Sequence, residues 1–143
     1  MQSLNFDEIL NRMAAQDPRY DRNAYVFLRE ALDHTQRALK QARKTEPQHV
    51  TGKELLDGIR DYALAQFGPM AKMVLNDWGI CRTADFGEIV FNMVDHRLLS
   101  KTADDSRDDF KDGYDFEEAF CKPFRPSKSR TPPVASRSKA DSL

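Results

Sequence analysis

Residues 49–99 contain three apolar-striped segments in succession, and each has a helix start or stop signal of its own. Thr51 and Glu54 have the spacing of a capping box, a Gly-Pro pair at 68–69 separates the first two segments, and Gly79 lies in a Trp-Gly-Ile turn before the third. Short helices joined by a tight glycine-containing bend are typical of a helix-turn-helix. We therefore expect a helix-turn-helix core.

Two more helices are expected before this core. Apolar side chains recur at helical spacing over about residues 5–16, and a longer stripe over about residues 21–44 predicts a second helix. Within the core, we expect Thr83 to cap the fifth helix. The residues expected to face inward from the third, fourth and fifth helices are Leu55, Ile59, Tyr62, Ala63, Phe67, Met70, Val74, Leu75, Trp78, Phe86, Ile89, Val90, Met93 and Val94.

The segment after the fifth helix contains an Asp-Gly pair at 112–113, which favours a two-residue hairpin turn. With residues 98–101 as a strand, a small β-ribbon would complete a winged helix. The competing prediction is a further short helix capped by Thr102 and Asp105, with residues 116–120 forming a terminal turn. The expected fold class is mainly α, a winged-helix-like core of helix-turn-helix plus small β-ribbon with a disordered C-terminal tail.

Charge divides the chain into two parts. Residues 122–143 hold six basic side chains, one acidic side chain and four of the seven prolines, so their net charge is +5 and that of residues 1–121 is −6. A basic, Ser/Pro-rich segment with few apolar side chains buries too little surface to offset the entropy of ordering. We expect one helical domain over residues 1–121 and a disordered basic tail over residues 122–143.

Targeting signals and cysteine spacing bear on the compartment. No apolar run approaches the roughly 18 residues that a membrane span needs, and the N-terminal residues include acidic side chains where a secretory signal is basic. The two cysteines, Cys81 and Cys121, have neither the spacing of a zinc site nor the density of a disulfide framework. These features predict a cytoplasmic protein with reduced thiols and no membrane contact.

Catalytic and metal-binding patterns were tested against the spacing that each requires. Glu30 and His34 share a helical face, but the second ligand pair of a di-metal bundle is missing. An EF-hand register with Gly113 at the sixth position places Ala119 at the twelfth, where an oxygen ligand is required. We therefore expect a non-enzymatic protein with no cofactor, bound metal or small-molecule substrate.

The charge of the fifth helix indicates which partner the scaffold favours. Its solvent side is predicted to carry several carboxylates, and residues 102–118 add eight more acidic side chains. An acidic helix in the major groove of DNA would be repelled by the phosphates. The chain is therefore expected to be a protein-protein interaction module that meets a basic protein. The expected partner-binding residues are Asp85, Glu88, Asp95, Asp108 and Asp109.

Nucleic-acid or ribosome binding is the alternative function. The second helix is predicted to end in a basic run of Arg37, Lys40, Arg43 and Lys44, and the basic tail adds further positive charge. Neutralising phosphates releases counterions and needs no fixed fold, so RNA is a possible ligand of both elements. Structural interpretations stay open, because basic residues at a helix C-terminus also suit the helix dipole and a charged tail also serves solubility.

Three stretches carry a resemblance to a known family: HVTGKELLDGIRDYALAQFGPMAKMVLNDWGI, TADFGEIVFNMV and DSRDDFKDGYDFEEAF. Over about residues 20–120, the chain resembles the conserved hypothetical family that is restricted to verrucomicrobia and planctomycetes. That resemblance implies a bacterial cytoplasmic protein. It implies no activity, ligand or catalytic residue.

Overall fold

The computed structural model of the protein describes residues 3–43, 50–99 and 106–125. The predicted mainly helical fold is confirmed. The α-helices within these described residues are α1 (Ser3–Gln16), α2 (Arg22–Arg43), α3 (Gly52–Phe67), α4 (Ala71–Asp77) and α5 (Thr83–Asp95). The shorter elements are 3₁₀ turns at Gly68–Met70, Arg107–Phe110 and Lys122–Phe124, and a π-helical turn at Glu117–Cys121.

The apolar stripes of the helices meet in one core. Its largest fully buried side chains are Leu10, Met13, Tyr25, Leu28, Ile59, Leu75, Ile80, Phe86, Ile89, Met93 and Phe120. The prediction that Met70 faces inward is wrong, because this side chain is 50% exposed at the end of a 3₁₀ turn that precedes α4. Tyr62, Phe67 and Trp78, which were also expected inside, lie at the edge of the core and are partly exposed.

Helices α2 and α3 pack as an antiparallel pair, since Phe27 near the start of α2 meets Phe67 at the end of α3. Gly58 of α3 lies directly against Thr35 of α2. A Cβ added at Gly58 would come within 1.8 Å of the Thr35 hydroxyl oxygen. Thr35 is buried and donates its hydroxyl hydrogen to the carbonyl of Ala31 at 2.7 Å. The absence of a side chain at Gly58 therefore sets how closely the two helices approach.

A tight turn over residues 78–82 connects α4 to α5. Gly79 has a φ of +93°, which confirms the left-handed conformation predicted for the glycine that ends α4. A Cβ at Gly79 would come within 2.0 Å of the carbonyl oxygen of Arg19. The N–H of Asp21 donates to the carbonyl of Trp78 at 3.0 Å. The turn is thus held against residues 17–21, the segment between α1 and α2 that we call the 17–21 loop.

The first turn of α5 differs from the prediction that Thr83 caps this helix. Thr83 is instead the first helical residue, and its buried hydroxyl oxygen accepts a hydrogen bond from the N–H of Gly113 at 3.0 Å. The Asp85 carboxylate accepts from the N–H groups of Cys81 and Arg82 at 2.9 and 3.2 Å. Thr83 therefore holds residues 106–125, which we call the C-terminal segment, through Gly113. Asp85 satisfies the N–H groups of Cys81 and Arg82 before the helix.

The predicted β-ribbon is wrong for the part of the segment that the structure describes, since residues 98–99 and 106–125 contain no strand. A 3₁₀ turn buries Phe110 against Gly87 of α5, and the π-helical turn buries Phe120. Burial of these rings outweighs the local hairpin preference of the Asp-Gly pair, because strand formation depends on tertiary packing.

The competing prediction of a terminal turn at residues 116–120 is confirmed by the π-helical turn Glu117–Cys121. Its companion, a cap formed by Thr102 and Asp105, lies outside the described residues, as do residues 100–101 of the predicted strand. The predicted domain boundary falls between this π-helical turn and the 3₁₀ turn Lys122–Phe124. Residues 126–143 of the predicted disordered tail also lie outside the described part.

Gly58→Ala should destabilise the fold by about 2 kcal/mol, because the added methyl group overlaps Thr35 and the core is already closely packed. The loss occurs although alanine is the better helix former by about 1 kcal/mol. Urea denaturation measures the change in unfolding free energy. In the double variant Thr35→Ala/Gly58→Ala the loss should be smaller than the sum of the two single losses, whereas additive losses would contradict the close crossing.

Candidate protein-binding surfaces

Asp85 is the first of the predicted partner-binding residues, and it faces the protein's own 17–21 loop. The hydroxyl of Tyr20 donates to Asp85 Oδ1 at 2.6 Å, and Tyr20 itself is 2% exposed. Burial raises the pKa of Tyr20, and the hydrogen bond to the Asp85 carboxylate raises it further. Together with the two backbone N–H groups before α5, this bond engages both oxygens of Asp85 inside the molecule.

Glu88, one turn further along α5, lies between two arginines. Its carboxylate oxygens are 3.5 Å from Nη2 of Arg19 and 3.5 Å from Nε of Arg107. Arg19 belongs to the 17–21 loop and Arg107 to the C-terminal segment, so this acid joins segments from both ends of the described chain. Its charge is already paired within the protein.

The remaining predicted acids lie at the surface. Asp95 is exposed at the end of α5. Asp108 forms an ion pair with Lys111 at 3.2 Å, and Asp109 accepts from the N–H of Ser106 at 3.1 Å as part of a capping box. The structure therefore does not gather the five acids into one set of unpaired carboxylates. Their proposed role in binding a partner stays a prediction.

The basic residues of the alternative hypothesis are only partly described. Arg37 is exposed and lies 3.3 Å from Asp33, its neighbour one turn back on α2. Lys40 is exposed on the same helix, and Arg43 is the last residue of α2. Lys44 lies outside the described residues. The nucleic-acid hypothesis also stays a prediction.

Asp17 joins the 17–21 loop to α5. The sequence analysis did not identify Asp17 as a contact residue. Its carboxylate receives Nε and Nη2 of Arg19 at 2.8 and 2.7 Å, and Nδ2 of Asn92 at 2.9 Å. Asn92 also donates to the hydroxyl of Tyr25 at 3.0 Å. The hydrogen bonds from Arg19 and Asn92 outweigh the opposing effect of burial and lower the pKa of Asp17 to about 2.

A second feature that sequence reasoning missed is an open aromatic groove between α2, α3 and the end of α4. It has a volume of about 170 Å³. Phe27 forms its floor at 3% exposure, and Tyr62, Phe67 and Trp78 line it as partly exposed rings. The centroid of Phe27 lies 5.5 to 5.8 Å from those of the other three rings. The complete lining consists of Asn23, Val26, Phe27, Glu30, Tyr62, Gln66, Phe67 and Trp78.

The rim of this aromatic groove is polar. The hydroxyl of Tyr62 donates to Oε1 of Glu30 at 2.9 Å, and burial together with this bond raises the pKa of Tyr62. The His34 ring also packs against Tyr62, with centroids 5.3 Å apart. Glu30 is the one charged residue among the described residues of the lining. The described lining of the groove thus combines partly exposed rings with a single negative charge. An apolar concave site with a few placed polar groups is typical of binding pockets.

Other surface features point less clearly to a ligand. A wider cleft of about 620 Å³ lies beside Cys81, but its lining mixes Arg82 and Lys111 with Asp112 and Asp115. Within the described part of the chain, no group of three His, Cys, Asp or Glu side chains is placed to hold a metal ion. None of the described helices has the length and apolar character to cross a membrane.

Comparison with known proteins finds no matching family model, no matching curated protein and no matching solved structure. Membership of the verrucomicrobial and planctomycete family therefore stays a prediction. The candidate sites rest on the geometry of this chain alone.

Asp85→Ala should lower the unfolding free energy by about 2 kcal/mol, because it leaves the buried Tyr20 hydroxyl and the N–H groups before α5 without their acceptor. Thermal or urea denaturation measures the loss. Asp95→Ala on the same helix is the matched control, and we expect a change below about 0.5 kcal/mol at this exposed position. Equal effects of the two variants would contradict the inward role of Asp85.

Asp17→Asn should reduce stability by about 1 to 2 kcal/mol at pH 7, because the charge-assisted bonds from Arg19 are weakened. The pKa of Asp17 is lower in the folded state than in the unfolded chain, so its contribution is complete above the unfolded value of about 4 and is lost as the pH falls towards about 2.

Urea denaturation of both forms at pH 7, 4 and 2.5 tests this dependence. The difference between wild type and Asp17→Asn should shrink across the two acidic points. The exposed pair of Asp7 and Arg22, 3.1 Å apart, supplies the control, since Asp7→Asn should cost less than about 0.5 kcal/mol at pH 7. A difference that is the same at every pH would contradict the assignment.

Proposed function

We propose that the protein is a non-enzymatic protein-binding module and that it binds its partner in the aromatic groove. The observation that carries this proposal is the exposure of the Tyr62, Phe67 and Trp78 rings around one open groove. Partly exposed aromatic rings in a concave site are the features that most often dominate binding energy at protein interfaces. The helix-turn-helix interpretation of α4 and α5 and the cytoplasmic location are part of the same hypothesis.

The contacts within the fold favour the aromatic groove over the acidic surface as the binding site. Two of the five predicted acids, Asp85 and Glu88, already bond to the 17–21 loop or the C-terminal segment. Replacing them by lysine would therefore damage the fold before it reported on a partner. Surface charges that stay solvated also contribute little to affinity. Aromatic groups that can be desolvated contribute more.

The groove can be blocked without touching the core. Gln66 is exposed, lies in the groove lining and belongs to the last turns of α3. Gln66→Arg would place a long side chain over the rings. Gln36→Arg makes the same chemical change at an exposed position of α2 that does not line the groove, which makes it a matched control.

The full chain is used to capture proteins from a lysate of the cells that express it, and the amount captured tests the proposal. Proteins captured by wild type and by Gln36→Arg should fall by about tenfold with Gln66→Arg, which corresponds to the loss of one central interface contact of about 1.4 kcal/mol. Undiminished capture by Gln66→Arg would refute binding in the groove.

Two further measurements distinguish binding in the aromatic groove from binding at the acidic surface and from RNA or ribosome binding. The double variant Asp95→Lys/Asp108→Lys reverses charges at two exposed positions, so loss of capture in this variant alone would assign binding to the acidic surface. Ribonuclease treatment that removes the captured material would instead assign the chain to RNA or ribosome binding.

A further inference from the structure

Arginine side chains stack on aromatic rings at three other places in this protein. Arg19 lies 5.0 Å from the centroid of Tyr20, Arg29 lies 4.3 Å from Phe6, and Arg107 lies 4.9 Å from Phe91. Tyr20 and Phe91 are otherwise buried, and Phe6 is partly exposed. A guanidinium group within about 6 Å of a ring centroid is attracted by the negative face of the ring. Stacked arginine is thus a recurrent neighbour of aromatic rings in this fold.

The rings that line the aromatic groove have no arginine stacked on them among the described residues. No arginine or lysine of the described chain lines the groove, and none lies over Tyr62, Phe67 or Trp78 within that distance. Glu30 lies at the rim of the groove. Its Oε1 accepts a hydrogen bond from the Tyr62 hydroxyl, and no described residue donates to its Oε2. The groove therefore presents partly exposed aromatic rings, with no described cation stacked on them, next to a carboxylate oxygen that can accept a hydrogen bond.

We propose that the groove binds an arginine side chain of a basic polypeptide, with the guanidinium group stacked on the exposed rings and donating to Glu30. Guanidinium is planar and weakly hydrated, so it stacks on aromatic faces and bonds a carboxylate at the same time. The volume of about 170 Å³ suits one side chain. This inference rests on the proposed function, since it names the chemistry of the partner at the same groove.

Trp78 supplies a reporter of binding, because it is the single tryptophan of the chain and lines the groove. The probes are the peptide acetyl-Gly-Arg-Gly-amide and the same peptide with citrulline in place of arginine. Citrulline keeps the length and planarity of the side chain and removes its charge. Titration of the full chain, followed by Trp78 fluorescence and by the NMR signal of its indole N–H, gives the two affinities.

The arginine peptide should bind at least about threefold more tightly than the citrulline peptide. Glu30→Gln should reduce the affinity for the arginine peptide by about threefold and leave the citrulline peptide unchanged. Asp33→Asn is the matched control, because Asp33 is an exposed acid one turn further along α2 that does not line the groove. Gln66→Arg should abolish the response by placing an arginine of the chain over the rings.

Equal affinity for the two peptides, or no effect of Glu30→Gln, would overturn the inference. The outcome is separable from that of the capture experiment. If Gln66→Arg loses the captured proteins while arginine and citrulline bind equally, the groove binds a protein by apolar contacts and only the present inference fails. If the arginine peptide binds as expected while capture is undiminished, the proposed function fails and the preference for arginine stands.

Discussion

The 17–21 loop is held on α5 by hydrogen bonds from Asp17 to Asn92 and from Tyr20 to Asp85. Its backbone also contacts the turn before α5 at Gly79. These contacts determine which face of α5 is covered and how the chain leaves α4. They also explain why the Asp85 carboxylate bonds within the molecule. A buried hydroxyl bonded to a carboxylate is costly to break, because each group would lose its partner without gaining water. Together with the bond from Asn92 to Tyr25, this contact positions α5 against the 17–21 loop and the start of α2.

Helix positions were predictable because their signals are local. Apolar spacing identified α1 and α2, and the Thr51–Glu54 capping box, which the structure contains, identified the start of α3. Gly79 was predictable for the same reason, since ending a helix in the left-handed region is a property of one residue. The Asp-Gly pair at 112–113 led to a wrong prediction of a hairpin. The free energy of its turn preference is small compared with that of burying Phe110 and Phe120 on neighbouring helices.

The candidate sites were less predictable, because they depend on which distant segments meet. Helical periodicity places Asp85 and Glu88 away from the apolar stripe of α5, but it cannot tell that the 17–21 loop covers that side. In the same way, Tyr62, Phe67 and Trp78 have the spacing of core residues. Only the packing of three helix ends leaves their rings partly exposed around one opening. The sequence holds no local sign that separates an aromatic residue inside the core from one at its edge.

The bond from the Asp21 N–H to the Trp78 carbonyl holds the backbone at one wall of the aromatic groove. The Trp78 ring lines the groove and packs against Phe27 and Phe67. A binding site whose side chains are already packed loses little conformational entropy when a ligand binds. The aromatic groove therefore favours lock-and-key recognition, because its shape is formed before a ligand binds.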